Sequence, residues 1–219
     1  MSDPTTAMLM AGIPVSSYSL YHRIRFIVGD PTALIAISGE SGEETTLILR
    51  DIEMSRARQH ARVDRVHCPA DFTPEGGLSG DRETATAQSV AEFLARSGIS
   101  SVTSDRTLPF IYAHILAEQG INVKCDLELG VRERRAKDDQ EVAWLAAAQA
   151  ITEQLMRRTL EWIASADVDE TGQLVVDGDL LTSERVQTQL DIWVLEAGCD
   201  HPGSIVAGGP QAADCHHYG

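Results

Sequence analysis

The residues best suited to chemistry lie close to the end of the chain. Zinc and related cations are bound by carboxylates, thiolates and imidazoles. Residues of these types are concentrated there: Asp200, His201, Asp214, Cys215, His216 and His217. Two adjacent histidines on an extended chain point to opposite faces, so neighbouring ligands do not by themselves converge on one ion. The pattern therefore does not favour a self-contained zinc site. It favours a single histidine of this cluster that points into a cleft.

Other catalytic motifs give no positive signal. The glycine-rich residues 76–80 fit neither of the two phosphate-loop spacings, and no lysine follows them, so they are interpreted as a flexible loop that leads into a helix. The sequence contains neither the G-x-S-x-G pattern of serine hydrolases nor the H-E-x-x-H pattern of zinc peptidases. The remaining histidines are isolated and are interpreted as ordinary surface or core residues: His22, His60, His67 and His114.

Composition excludes several classes of protein. The chain has 219 residues, 43% of them hydrophobic, with 18 basic and 33 acidic residues and a formal net charge of −15. Such a charge repels phosphate, which argues against binding to nucleic acid or to an anionic membrane. The apolar residues 8–15 are too few for a membrane span and lack the pattern of a signal peptide. The four cysteines have no C-x-x-C spacing, which predicts buried, reduced thiols in a cytoplasmic protein.

The elements before residue 130 predict one mixed α/β domain. Three β-rich runs, at residues 23–29, 33–37 and 45–49, are interpreted as an antiparallel meander, with a hairpin loop at residues 38–43. Helices and strands then alternate, which implies parallel crossovers. The predicted helices are residues 51–59, 81–96 and 108–118, and the predicted strands are residues 62–66, 99–103 and 121–125.

The elements after residue 130 are mainly helical. Residues 130–137 are highly charged and are interpreted as a solvated linker. Asp138 and Glu141 form a capping box that opens a helix to about Ile163. Residues 172–178 are interpreted as a turn-rich interruption. A second helix begins at Thr182 or Ser183 and ends at Gly198, and residues 204–207 are predicted to be a strand.

Taken together, these C-terminal segments resemble a known family. Three segments carry the resemblance: Arg135, Lys137, Asp138 and Glu141 before the long helix; Leu181-Thr182-Ser183-Glu184; and Ser204-Ile205-Val206-Ala207-Gly208-Gly209-Pro210 followed by His216. They are similar to the start of the catalytic domain of Xaa-Pro aminopeptidases and prolidases, in the creatinase and methionine aminopeptidase superfamily. The early strand, Gly29-Asp30 and the later α/β alternation resemble that family's creatinase-type N-terminal domain.

The resemblance implies an architecture and an activity. The expected fold is α/β (α+β): a creatinase-type mixed-sheet domain at residues 1–130, a linker at 131–138, and an incomplete start of a pita-bread metallopeptidase domain at 139–219. The implied activity is metal-dependent hydrolysis of the peptide bond that precedes proline. A homo-oligomer is also expected. The alternative is a non-catalytic binding or oligomerisation protein of the same superfamily.

The resemblance also implies roles for single residues. His216 matches the family's histidine that contacts the substrate or the tetrahedral intermediate, with His217 as the adjacent alternative. Cys215 stands where the family usually has proline. The family holds two divalent metals, commonly manganese, cobalt or zinc, with two aspartates, a histidine and two glutamates that all follow the position of His216. No metal ligand is therefore assigned in this chain, Asp200 and Asp214 included, and the 219 residues alone are expected to be inactive.

Overall fold

A computed structural model describes residues 6–39 and 42–217 and separates into two compact units. The N-terminal unit extends to Ala136, and the C-terminal unit begins at Lys137, so the division falls within residues 131–138. In the part of the chain that is described, no helix is both long and apolar enough to cross a membrane.

The N-terminal unit is built on a six-stranded mixed sheet. Its strands are β1 (Thr6–Gly12), β2 (Thr32–Gly39), β3 (Gly42–Ile48), β4 (Arg65–His67), β5 (Ser101–Asp105) and β6 (Asn122–Asp126). Their spatial order is β4-β3-β2-β1-β5-β6. The pairs β1–β2 and β2–β3 are antiparallel, whereas β3–β4, β1–β5 and β5–β6 are parallel. The predicted crossovers are thus present, and β1, β2 and β3 form an antiparallel meander whose first strand is not the predicted one. The tip of the predicted loop, residues 40 and 41, lies outside the described residues.

Helices cover both faces of this sheet. They are α1 (Tyr18–Ile24), α2 (Met54–His60), α3 (Arg82–Arg96), α4 (Phe110–Glu118) and α5 (Val131–Arg135). Leu9 of β1 belongs to a buried cluster with residues of α3 and α4, and its neighbour Met10 belongs to a second cluster with residues of α1 and α2. Successive side chains of a strand point to opposite faces, so β1 supplies apolar residues to two cores at once.

The predicted first strand, at residues 23–29, is wrong. Residues up to Ile24 belong to α1, and Arg25 ends that helix in the left-handed conformation, with φ of 51°. Phe26 and Val28 are buried in the second cluster, although they belong to no regular element. Their apolar character therefore reflects burial rather than strand pairing. The true first strand, β1, lies earlier, within the apolar stretch around residues 8–15.

The segment predicted to be a linker contains a helix, because residues 131–135 form α5. Gly130 precedes this helix with φ of 71°, and a Cβ atom at that position would lie 2.7 Å from the Cβ of Ser19 in α1. Only glycine allows both this conformation and this close approach. The charged segment is therefore packed against the N-terminal unit at its start.

The C-terminal unit consists of two helices and a small sheet. Helix α6 (Asp139–Ala164) begins with the predicted capping box of Asp138 and Glu141, and helix α7 (Ser183–Glu196) is capped by Thr182. Between them lie β7 (Asp167–Val168), β8 (Leu174–Val176) and β9 (Asp179–Leu180), paired antiparallel. The segment predicted only as a turn-rich interruption therefore carries strands, with its glycines, Gly172 and Gly178, in left-handed turns.

Much of α6 is not covered by other residues of the chain. All nine residues at positions 142–150 are exposed, which corresponds to about 13 Å of helix. Of the apolar side chains along one stripe of α6, only Leu155 is buried, while Val142, Leu145 and Met156 are exposed. The C-terminal unit thus presents apolar side chains that the spacing of an amphipathic helix would place inward.

Two further predictions for single segments are wrong. Residues 204–207 pair with no strand among the described residues and have no regular structure, because a strand requires a partner for its backbone groups. The thiols are free as predicted, but none of them is buried: Cys125 and Cys215 are exposed, and Cys68 and Cys199 are half-buried.

Candidate functional site

Helix α7 fixes the position of the chain that leads to the C-terminal cluster. The Gln187 side-chain amide donates a hydrogen bond of 3.0 Å to the carbonyl oxygen of Ser204. One turn further, Asp191 accepts a bond of 3.4 Å from the Ser204 hydroxyl and lies 3.0 Å from His201 Nε2. Gln187 and Asp191 are four residues apart and so share one face of the helix. That face holds residues 201–204 along the helix.

The chain then makes a compact turn at the predicted cluster. A short 3₁₀ helix, Gly209–Ala213, leads to Asp214. The backbone N–H of His217 donates to the Asp214 carbonyl oxygen at 3.1 Å, and the N–H of His216 donates to Asp214 Oδ1 at 3.0 Å. The sulfur of Cys215 lies 3.4 Å from His216 Nδ1. Because the backbone turns here instead of running extended, three consecutive side chains lie together.

Three of the six predicted cluster residues therefore converge. The ligand atoms of Asp214, Cys215 and His216 all lie within 4.8 Å of one another, and all three residues are exposed. His201 is paired with Asp191 instead, and Asp200 is exposed away from the group. That one histidine of the cluster points into a cleft stays a prediction, and His216 is exposed among the described residues.

His217 lies within electrostatic reach of helix α7. The pKa of the Glu184 carboxyl is lowered chiefly by the hydrogen bond from the Thr182 side chain, then by the backbone N–H of Glu184 itself, with a smaller effect from the positive charge of His217. The start of α7 and the C-terminal turn are therefore neighbours. Gly208 also lies close to the start of α7: a Cβ atom placed on Gly208 would be 3.7 Å from the Ser183 hydroxyl oxygen.

A cleft of about 520 Å³ lies between α6 and α7. Its aromatic part is formed by Trp162 and Trp193, whose ring centroids are 5.8 Å apart at an interplanar angle of 73°. The Arg158 guanidinium lies over the Trp193 ring at 4.0 Å from its centroid. The remaining lining residues are polar or charged: Asp177, Glu184, Arg185, Thr188 and Gln189. The cleft offers an aromatic edge, the two guanidinium groups of Arg158 and Arg185, and two carboxylates, a combination suited to binding.

Arg185 contributes to the cleft mainly as a structural residue. Its Nη1 atom donates to the carbonyl oxygens of Val176 and Asp179, both at 3.0 Å. These bonds join α7 to the turn between β8 and β9, because the guanidinium carries several donors in a fixed geometry. Arg185 therefore shapes the wall of the cleft through Nη1, and these bonds do not use its Nε and Nη2 donors.

The sequence analysis missed this cleft. The signal was present: Arg158 and Trp162 are four residues apart on α6, and Arg185, Gln189 and Trp193 repeat at the same interval on α7. Side chains at this spacing share a helix face. What the sequence did not show is that these two faces meet.

The described residues do not fit a pair of bridged divalent metals. Such a centre, as the resemblance implies it, requires two aspartates, a histidine and two glutamates. Within residues 6–39 and 42–217, the converging group of ligand types contains a single carboxylate, a thiol and one imidazole. One carboxylate is not enough to bridge and surround two cations. The metal ligands therefore stay unassigned among the described residues.

Solved structures of Xaa-Pro peptidases share this fold. The Xaa-Pro dipeptidase from Bacillus anthracis matches 98% of the chain at 15% identity with a TM-score of 0.70, and 51% of that structure is covered. An X-Pro aminopeptidase from Thermotoga maritima MSB8 matches 98% at 16% identity with a TM-score of 0.67, with 53% of that structure covered. The prolidase from Pyrococcus horikoshii OT3 matches 98% at 15% identity with a TM-score of 0.65, with 51% covered.

The likeness to these proteins lies in the fold and covers about half of each of them. No protein-family model matches the sequence, and a search of curated proteins by sequence finds no match. The chain spans about half the length of the solved structures that it matches. At 15–16% identity the likeness concerns the fold. Over nearly its whole length, the chain is folded like prolidases and Xaa-Pro aminopeptidases, as the sequence resemblance predicted, with a mixed-sheet N-terminal domain of the creatinase type.

Proposed function

We propose that this chain is part of a metal-dependent Xaa-Pro peptidase that hydrolyses the bond preceding proline. The observation that carries the proposal is the fold match over 98% of the chain to an Xaa-Pro dipeptidase and an X-Pro aminopeptidase. The match includes both units, since a match to the N-terminal unit alone would leave more than a third of the chain uncovered. The chain covers about half of those structures, so the activity belongs to a protein that also carries metal ligands.

The role proposed for this chain is substrate positioning by His216. An imidazole N–H aimed at a scissile carbonyl stabilises the negative charge that develops on its oxygen in the tetrahedral intermediate. His216 is exposed, and its backbone N–H is held by Asp214, so the turn fixes the backbone while the ring remains accessible. His217 is the adjacent alternative.

The test uses the protein made from the whole open reading frame that encodes this chain. We expect manganese-dependent release of alanine from Ala-Pro or from Ala-Pro-Ala, and the comparison of these two peptides separates dipeptidase from aminopeptidase specificity. The 219-residue chain by itself should release none, because its described ligand types do not fit two metals. The peptidase proposal is wrong if neither peptide is cleaved with manganese, cobalt or zinc.

A pair of variants tests the histidine. Replacing His216 with alanine should lower kcat by about 10²–10³-fold, the effect of losing one donor to an oxyanion. His217→Ala identifies the alternative, and His114→Ala serves as the control because His114 pairs with Glu118 on α4, in the other unit. Equal activity of the His216 and His217 variants and the parent protein would exclude both positions.

A second candidate function is oligomerisation, and the exposed residues of α6 favour it. Residues 142–150 carry Val142, Trp144 and Leu145 without a charged side chain among the nine. Exposed apolar patches of this kind mark protein–protein contact sites. The chain should therefore self-associate, with a sedimentation coefficient that rises with concentration.

Two variants of α6 test this association. Leu145→Lys should shift the chain towards monomer, because it places a charge in the contact, whereas Gln154→Lys, an exposed polar position on the same helix, should not. A chain that sediments as a monomer at every concentration would contradict self-association.

A further inference from the structure

Two ligand atoms in the turn at the C-terminal cluster have the spacing of a metal site. In the described part of the chain, Asp214, Cys215 and His216 form the group of three ligand types that converges within 4.8 Å. Ligands bonded at zinc-like lengths to one tetrahedral centre lie about 3.3–3.6 Å from each other. The sulfur of Cys215 and Nδ1 of His216 are 3.4 Å apart, within that range. The pair is thus already at the spacing that one ion requires.

The backbone holds this arrangement without any ion. The N–H of His216 donates to Asp214 Oδ1, and the N–H of His217 donates to the Asp214 carbonyl oxygen. These two bonds close the turn and keep the carboxylate next to the thiol and the imidazole. A carboxylate has two oxygens with several lone pairs, so Asp214 can accept the N–H and still bind a cation. Because the backbone turns here, these neighbouring side chains do not diverge as they would on an extended strand.

From this geometry we propose that Asp214, Cys215 and His216 bind a single divalent cation of the zinc class. A thiolate with an imidazole selects a borderline-soft ion such as Zn²⁺ over Mg²⁺ or Ca²⁺, which prefer oxygen ligands. The exposed position leaves the fourth site of the tetrahedron to water. Binding releases the Cys215 thiol proton to the buffer, since the thiolate is the ligand. This site is mononuclear and differs in ligand type from the pair of metals considered for peptidase activity.

Cobalt is the probe, because a thiolate bound to Co²⁺ absorbs in the near ultraviolet. Titrating the reduced 219-residue chain with Co²⁺ should give a thiolate-to-cobalt band that saturates at one ion per chain, and one equivalent of Zn²⁺ should remove it. Cys215→Ser should abolish the band, and His216→Ala or Asp214→Asn should weaken binding. The thiol control is Cys125→Ser, an exposed thiol on β6 whose sequence neighbours point to the opposite face. The imidazole control is His114→Ala.

A second measurement follows the thiol itself. Zn²⁺ should protect one thiol of the chain from a thiol-specific reagent, and this protection should be lost in Cys215→Ser but kept in Cys125→Ser. The proposal is overturned if Co²⁺ gives no thiolate band, if the band survives Cys215→Ser, or if His216→Ala and Asp214→Asn bind as tightly as the parent chain. None of these outcomes depends on peptidase activity, so the site and the proposed function are tested separately.

Discussion

The two units bury apolar side chains to very different extents. Among the described residues, 28 of the buried apolar residues belong to the N-terminal unit and three, Leu155, Val186 and Trp193, to the C-terminal unit. The N-terminal sheet has helices on both faces, so its central strands are buried on both sides. In the C-terminal unit, two helices pack along one seam, and the first half of α6 is exposed. Comparing the units indicates that the N-terminal unit is stabilised by a distributed core and the C-terminal unit by few residues.

The largest expected effect is at the seam of the C-terminal unit. Trp193 is 7% exposed, packs edge-on against Trp162 and lies beneath Arg158. Trp193→Ala should lower the free energy of unfolding of this unit by about 3–5 kcal/mol. That is a large part of the about 5–15 kcal/mol that stabilises a typical domain. Hydrogen exchange should show loss of protection in α6 and α7 and unchanged protection in the N-terminal strands.

Leu160 provides a control on the same helix as Trp162. It is 60% exposed, so Leu160→Ala should change stability by no more than about 0.5 kcal/mol. Two results would break the comparison between the units. One is equal losses for Trp193→Ala and Leu160→Ala. The other is a loss of protection in the N-terminal sheet when Trp193 is replaced, which would mean that the two units unfold together.

The second effect concerns the distributed core. Leu9 is fully buried at the centre of the N-terminal sheet, and Leu9→Ala should cost about 2–5 kcal/mol. All three tryptophans lie in the C-terminal unit, so their fluorescence reports that unit alone. The unfolding transition in urea followed by circular dichroism should therefore shift, while the fluorescence transition stays in place.

The control for Leu9 lies in the same unit. Leu127 is 63% exposed, and Leu127→Ala should leave both transitions within about 0.5 kcal/mol of the parent chain. A shift of the fluorescence transition by Leu9→Ala would show that the C-terminal unit depends on the N-terminal core. That outcome would contradict the inference, drawn from burial, that the two units unfold independently.

Helices with clear local end signals were predictable from the sequence. The capping residue Asp81 and the glycine Gly98 bound α3, and Asp138 with Glu141 opens α6. These signals act over one helical turn and do not depend on distant residues. Strands were less predictable. Strand β1 is buried on both faces, so its sequence does not alternate between apolar and polar residues. Phe26 and Val28 gave a false strand signal, because they are apolar residues of an irregular segment that is buried in the core.

The candidate site was predictable only in part. Residue type identified the cluster that contains Asp214, Cys215 and His216, but the turn that brings them together depends on hydrogen bonds that the sequence pattern does not reveal. The cleft was missed for a different reason. Trp162 and Trp193 are 31 positions apart, and their contact exists only because α6 and α7 pack against each other. Periodicity shows which face a residue occupies and leaves its partner undetermined.

The smallest expected effect is a difference in acid sensitivity between the units. The pKa of the Asp81 carboxyl is lowered by hydrogen bonds, first from the Thr84 hydroxyl and then from the Thr84 backbone N–H, at the start of α3. The pKa of Asp169, between β7 and β8, is lowered chiefly by the Thr171 hydroxyl and then by the backbone N–H of Gln173. A carboxyl whose pKa is lower in the folded state stabilises it above the unfolded pKa, and this contribution is lost as pH falls through the folded pKa.

Asparagine variants at these two positions separate the units. The amide oxygen accepts the same hydrogen bonds and does not titrate, so part of the loss of stability between about pH 5 and about pH 2 should disappear. Asp81→Asn should flatten the pH dependence of the circular dichroism transition and leave that of the fluorescence transition unchanged. Asp169→Asn should flatten the pH dependence of the fluorescence transition and of the part of the circular dichroism signal that α6 and α7 contribute. Urea midpoints measured across this range check both. Variants whose midpoints fall in parallel with the parent chain would show that neither carboxylate contributes to acid unfolding. Cross-effects, in which Asp81→Asn alters the fluorescence transition, would show coupling between the units that burial does not predict.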